Sequence, residues 1–175
     1  VKVFIPQRDG EDVIVAILGP GDPVGEMSVI DRSGRSASVI TLEDTRVLWM
    51  AQSSFQEALH TMPALATNLI SILNNRLRTS TGQIRALAAL DVHQRLIRQL
   101  LNFATRYGRP GKSGETVIPI RLTQNDLAGL VGASRKRVNQ AMVALKHNGW
   151  IAVDTDFHIT LLDPASLERE IAGSL

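Results

Sequence analysis

The sequence predicts an α+β chain. A small antiparallel β unit comes first, a long helix follows, and a helical unit with a terminal β-hairpin ends it. Three observations carry this. Short apolar runs broken by Gly, Pro and Asp fill the first 50 residues. From Ser53 the apolar period changes from that of a strand to that of a helix. Leu122 to Trp150 then reads as two short helices around a glycine.

Composition sets the frame. The chain has 175 residues, 44% of them apolar, enough for one large domain or two small ones. It contains no uncharged apolar run of about 18 residues, so no transmembrane helix and no membrane partner are expected. The opening VKVFIPQRDG lacks the charged-then-apolar layout of a secretion signal and starts on strand-like residues. The chain is therefore expected to begin inside a domain. There is no cysteine, which excludes disulfides, thiolate zinc sites and Cys-ligated iron–sulfur clusters. A cytoplasmic location is the simplest expectation. Net charge is +2, unevenly spread. Residues 1–60 carry 5 basic and 9 acidic side chains, residues 61–120 carry 8 and 2, residues 121–150 carry 5 and 1, and the remainder 1 and 5. A positive middle between acidic ends fits a polyanionic partner, or a solvated basic helix face.

Strands are expected at Val13–Leu18, over Ser36–Thr41 and at Arg46–Met50, with tight corners such as Gly19-Pro-Gly21. Ser53 or Ser54 is positioned to cap a short helix that Pro63 interrupts. Pro63 suits the first turn of the next helix, which runs to about Leu90. Leu73, Leu77, Ser80, Ile84 and Leu87 repeat at 4, 3, 4, 3 along it. That heptad seam fits pairing with a second copy, or packing on the chain's own domain. Asp91 is placed to cap a helix over Val92–Tyr107. A loop over Gly108–Gly114 and a strand at Thr116–Arg121 follow. After Trp150, Ile151–Val153, the turn Asp154–Asp156 and Phe157–Leu162 form a hairpin, and Pro164–Ala172 a last helix.

The segment LTQNDLAGLVGASRKRVNQAMVALKHNGW is the most specific. Thr123 and Asp126 make a capping-box-like start. Gly132 supplies a turn residue free to take positive φ. Ser134 caps the second helix, whose Val138, Ala141, Met142 and Leu145 form one apolar stripe. Its opposite face and leading end carry Arg135, Lys136, Arg137 and Gln140. In a helix-turn-helix, the start of the second helix reaches base edges. Arg pairs bidentately with guanine and Gln with adenine, while Ser134 and the first-turn amides suit a phosphate. The flanking strand and hairpin make this a winged helix-turn-helix.

The whole chain resembles the Crp–Fnr family of bacterial transcription regulators, of the cyclic-AMP receptor protein type. LTQNDLAGLVGASRKRVNQAM is similar to the family's DNA-binding signature. Leu87-Ala-Ala-Leu-Asp-Val92 is similar to its hinge, and Gly25-Glu-Met-Ser28 with Arg35-Ser-Ala37 to its phosphate-binding cassette. The resemblance implies three parts. They are an antiparallel, cyclic-nucleotide-binding-like β-roll with a short helix over 1–62, lacking its first strands, a dimerisation helix and hinge over 63–91, and a winged helix-turn-helix over 92–175. It also implies an effector site. Gly25 and Met27 would lie against the ligand, Glu26 would accept from a ribose hydroxyl, and Arg35 and Ser36 would hold the phosphate. Ser80 and Thr81 would touch the base across a dimer interface, which would explain a polar residue in the seam. The loop Val29–Gly34 is about one residue shorter than the family pattern, and Lys136 and Gln140 depart from it too. Arg135 keeps its guanine contact, but the operator need not be the usual one.

The resulting expectation is a homodimeric transcription regulator on a near-palindromic double-stranded DNA operator, with half-sites about 34 Å apart. Its effector would be a cyclic nucleotide, cyclic AMP first, and RNA polymerase a further partner. Three rivals stand beside it: a regulator of the same fold that uses no cyclic nucleotide and answers to another small molecule or to none, an enzyme, and a structural dimer whose helix-turn-helix serves only protein contacts. His60, His93, His147 and His158 show no metal-ligand spacing, and Ser36 has no His partner nearby in sequence, so no catalytic or metal residue is assigned.

Overall fold

A computed structural model describes residues 1–7, 12–31, 33–112 and 114–172. Parts of the opening stretch, of the Val29–Gly34 loop and of the Gly108–Gly114 loop therefore lie outside the described residues.

β1 (Lys2–Ile5) and β2 (Val13–Ile17) pair antiparallel, with a register shift between Val3 and Phe4. α1 (Glu26–Ile30) follows at the end of a Gly- and Pro-rich corner. β3 (Ser38–Ile40) then joins the other edge of β1, giving the order β2-β1-β3. Two expectations fail here. Arg46–Met50 is not a strand, and Val47, Leu48 and Trp49 are exposed. An apolar run becomes a strand only where a neighbour takes up its backbone groups, and β1 to β3 offer it none. Ser53 and Ser54 do not cap α2 (Gln52–Thr61). Its N-cap is Ala51, without a side-chain cap, and both serines lie in the first turn.

Met62 closes α2 and opens α3 (Pro63–Ala89), with Pro63 in the first turn, where the missing N–H costs nothing. Asp91 caps α4 (Val92–Tyr107). Its carboxylate accepts from the Gln94 amide at 2.8 Å, and the Gln94 side chain accepts from the Asp91 amide at 3.2 Å. Leu96, Ile97, Leu100 and Phe103 form the buried face of α4.

β4 (Arg109–Pro110), β5 (Thr116–Ile118), α5 (Gln124–Val131), α6 (Arg135–His147), β6 (Ile151–Val153), β7 (Ile159–Leu161) and α7 (Pro164–Ala172) complete the chain. The second sheet is antiparallel, ordered β4-β5-β7-β6. β4 occupies part of the expected loop, and β5 ends before Pro119, which cannot donate to a ladder. Phe157 belongs to the hairpin turn, not the strand, at φ 65. Among the described residues no helix is long and apolar enough to cross a membrane.

One core runs through α4, α5, α6, the second sheet and α7, and it takes in Ile14 and Ile17 of β2. The first sheet therefore docks on the C-terminal unit. Gly129 makes the approach possible: a Cβ there would lie 2.6 Å from the Asp12 carbonyl oxygen. The Tyr107 hydroxyl donates to the Ile17 carbonyl at 2.9 Å, and Arg106 pairs with Asp22 at 2.8 Å. Burial pushes the Tyr107 hydroxyl above its ordinary pKa, against the lowering effect of the Arg106 guanidinium. Lys2 of β1 pairs with Asp126 of α5 at 2.9 Å.

Candidate DNA interface and effector pocket

Thr123 and Asp126 form the reciprocal capping box at the start of α5. The Thr123 hydroxyl accepts from the Asp126 amide and gives its own proton to Asp126 Oδ2 at 2.6 Å. A phosphate at this end would therefore meet the free first-turn amides of Gln124 and Asn125 before the Thr123 hydroxyl. Burial would raise the Asp126 carboxyl. The bonds from the Thr123 hydroxyl, Lys2 and the Thr123 amide outweigh it and hold the group below the usual carboxylate range.

Gly132 turns the chain at φ 62, in the left-handed region, and Ser134 opens α6 by accepting from the Arg137 amide at 3.5 Å. Val138, Ala141, Met142 and Leu145 are all buried. Arg135, Lys136, Arg137 and Gln140 are all exposed. The helix thus buries its apolar stripe and leaves its cationic leading end in solvent. One contact went unread in the sequence: Gln124 Nε2 donates to Asn139 Oδ1 at 2.7 Å, tying α5 to α6. Asn139 stands four residues after Arg135, and that spacing was the available signal.

The wing differs in sign. Asp154 accepts from the amides of Asp156 and His158 and from the His158 ring, which holds the turn. The His158 amide is the main reason the Asp154 carboxyl lies below its ordinary pKa. Asp154, Asp156 and His158 bring possible ligand atoms within 4.8 Å of one another, but these are the groups whose mutual bonds make the turn. At the base of the wing the exposed Arg121 guanidinium lies 5.4 Å from the centre of the Phe157 ring.

The second site lies in the N-terminal unit. Gly25 takes φ 84, and a Cβ there would meet Arg35 Nη1 at 2.8 Å. Arg35 donates to the Gly25 carbonyl at 3.0 Å and to the Ser28 hydroxyl at 2.6 Å. Glu26 is buried and pairs with Arg76 of α3, not with Arg35. Arg76 also donates to the Pro23 carbonyl, so the long helix grips the pocket floor. The second Glu26 oxygen, Oε2, is buried without a hydrogen-bond partner among the described residues. Glu26, Met27, Arg35, Ser36 and Arg76 line a cavity of about 80 Å³. Ser80 and Thr81 are not part of this lining. They are exposed on α3, one turn and more beyond Arg76. Arg76, like Gln124 and Asn139, went unread in the sequence, and it carries no signal in the local pattern because its partner lies 50 positions away.

A helix-turn-helix with an exposed basic helix end defines a DNA-binding protein as the class. Comparison with known proteins narrows it. Residues 94–170 match the Crp-like helix-turn-helix domain, and residues 1–62 match the cyclic nucleotide-binding domain. A CRP-like cAMP-activated global transcriptional regulator of Mycobacterium tuberculosis is 34% identical over 155 residues, covering 87% of this chain and 69% of its own. The cyclic AMP receptor protein of Thermus thermophilus is 30% identical over 149 residues, covering 85% and 65%. In fold, a CRP/FNR-family transcriptional regulator from Thermus thermophilus superposes with a TM-score of 0.78 at 22% identity, covering 99% of this chain and 83% of that one. The chain belongs to the CRP–FNR family of transcription regulators. The Mycobacterium tuberculosis relative is a transcriptional regulator.

Proposed function

We propose that the protein acts as a homodimer on a near-palindromic operator and that a cyclic nucleotide, cyclic AMP first, controls it. The observation that carries this reading is α6. Its apolar stripe is buried to the last residue while Arg135, Lys136, Arg137 and Gln140 stand free at its leading end. Arg135 reads guanine, Gln140 reads adenine, and the amides behind Ser134 hold a phosphate. Thr123 works through its capping box, presenting the first turn of α5 to the backbone of the duplex.

The effector assignment rests on the Glu26 carboxylate. A buried acceptor with an unpaired oxygen fits a ribose hydroxyl, and Arg35 beside a glycine at positive φ fits a phosphate. Ser36 adds a hydroxyl donor, and Met27 an apolar wall. Cyclic AMP comes first because the relatives named above carry it in their names. Pairing follows from α3: Ile70, Leu77 and Ile84 recur every seven residues and are 60%, 65% and 68% exposed, which a second copy would cover. That packing would bring Ser80 and Thr81 toward the neighbour's ligand. RNA polymerase is the further partner such a regulator needs, and the cytoplasm is where its DNA lies.

The cavity of about 80 Å³ favours one second reading, a regulator of the same fold without a cyclic nucleotide. Arg35 closes the cradle by bonding to Gly25 and Ser28, so a ligand has to displace it. One experiment separates the two: selection of bound duplexes from a random pool, with and without a panel of cyclic nucleotides. The first reading expects an inverted repeat recovered only with a cyclic nucleotide. Recovery of the same repeat without one supports the second, and no recovered sequence defeats both.

A further inference from the structure

We infer that Gln124 and Asn139 act as a two-helix selector that fixes which base the DNA-reading face accepts beside the Arg135 guanine. The inference rests on the DNA-binding reading of α6 given above.

Asn139 lies on α6 four residues after Arg135, about 6 Å further along the helix axis. Base pairs repeat at about 3.4 Å, so the two side chains face base pairs one or two steps apart. Both are exposed, on the same face of the helix. Asn139 differs from its neighbours in being held. Its Oδ1 accepts from Gln124 Nε2 at 2.7 Å, and Gln124 sits at the very start of α5 beside the Thr123 cap.

That single bond sets the polarity of the reader. A free asparagine offers a donor and an acceptor and pairs bidentately with adenine. With its oxygen engaged by Gln124, Asn139 turns its amide N–H groups to the groove. Two donors match the N7 and O6 of guanine together, only one acceptor meets them on adenine (N7) or thymine (O4), and the N4 amine of cytosine offers none. Gln124 is thus a positioning residue that works through Asn139. It also links base choice to the end of α5, whose first-turn amides face the backbone.

Selection from a random duplex pool tests this. It is run under whichever condition, with or without cyclic AMP, gives the wild-type protein its strongest selection. Wild type is expected to prefer guanine next to the Arg135 guanine in each half-site. Asn139→Ala is expected to reduce a preference of about tenfold at that pair to none, leaving the Arg135 guanine intact. Gln124→Met frees the oxygen and is expected to move the preference to adenine. Gln124→Glu can only accept, so Asn139 must turn its N–H inward and present its oxygen, and the preference is expected to move to adenine or cytosine. The added charge of Gln124→Glu weakens binding to all sequences alike, so the base profile is the readout. An unchanged profile in both Gln124 variants overturns the inference, as does an Asn139→Ala profile equal to wild type while Arg135→Ala loses its guanine. If wild type selects no sequence at all, the DNA-binding reading fails, and this inference with it.

Discussion

The two ends of the molecule solve the burial problem differently. From Asp91 onward every element has a partner. α4, α5, α6, the four-stranded sheet and α7 share one core in which Leu96, Ile97, Leu100, Ile118, Leu145 and Leu167 are fully buried. The N-terminal unit is a three-stranded sheet and two short helices, α1 and α2, with a run of exposed apolar side chains from Val47 to Met50. Ile14 and Ile17, two of its few buried residues, are buried by leaning on the other unit. The DNA-reading part carries its own rigidity. The N-terminal unit depends on its neighbours, through Arg76 of the long helix and through Lys2, Tyr107 and Arg106. A ligand that stiffens or shifts the weaker part therefore acts on contacts already shared with the stronger one.

The difference can be broken at its strongest point first. Leu145→Ala empties a fully buried position on α6 and is expected to cost about 2–5 kcal/mol, with DNA binding lost alongside. The midpoint of denaturant unfolding checks this. Next comes the exposed end of the same helix. Arg135→Ala is expected to remove about 1–3 kcal/mol of discrimination at one base pair, while a salt-sensitive affinity for any duplex remains. Stability should be unchanged, and competition binding across salt concentrations measures the split.

Smaller still is the joint between the units. Lys2→Met leaves the Asp126 carboxylate short of one partner and is expected to cost about 1 kcal/mol. The pH dependence has a definite sign. Asp126 is held below the ordinary aspartate value, so its share of stability is fully present above about pH 3.9 and fades as pH falls through the lower folded value. Lys2→Met should shrink that acid-side loss in a pH series of unfolding midpoints. The least effect is expected at Trp49. It is 84% exposed, and Trp49→Ala should move stability by no more than about 0.5 kcal/mol. A loss like that of Leu145→Ala would mean that the apolar run at 46–50 is covered, and the contrast would collapse.

Legibility in the sequence follows the same divide. Asp91, Thr123, Gly132 and Ser134 act on their own helix ends within a few residues, so α4, α5 and α6 could be placed from spacing and capping. The stripe Val138, Ala141, Met142, Leu145 was legible because a helix repeats its face every turn. Arg46–Met50 was misread because strand character belongs to a pair, and a sequence shows only one member. Glu26–Arg76 and Lys2–Asp126 join residues 50 and 124 positions apart, beyond any local pattern. Arg35 could be named in advance, but not its grip on Gly25 and Ser28, which depends on the corner folding back on itself.

The link between the two ends is tested most directly by titrating a fluorescent operator duplex with wild type and with Arg35→Ala, each with and without cyclic AMP at fixed salt. Wild type is expected to bind at least about five-fold tighter with the nucleotide, the lower end of ordinary allosteric coupling. Arg35→Ala is expected to bind equally with and without it. A wild type indifferent to the nucleotide, or an Arg35→Ala that responds as wild type does, would contradict the link.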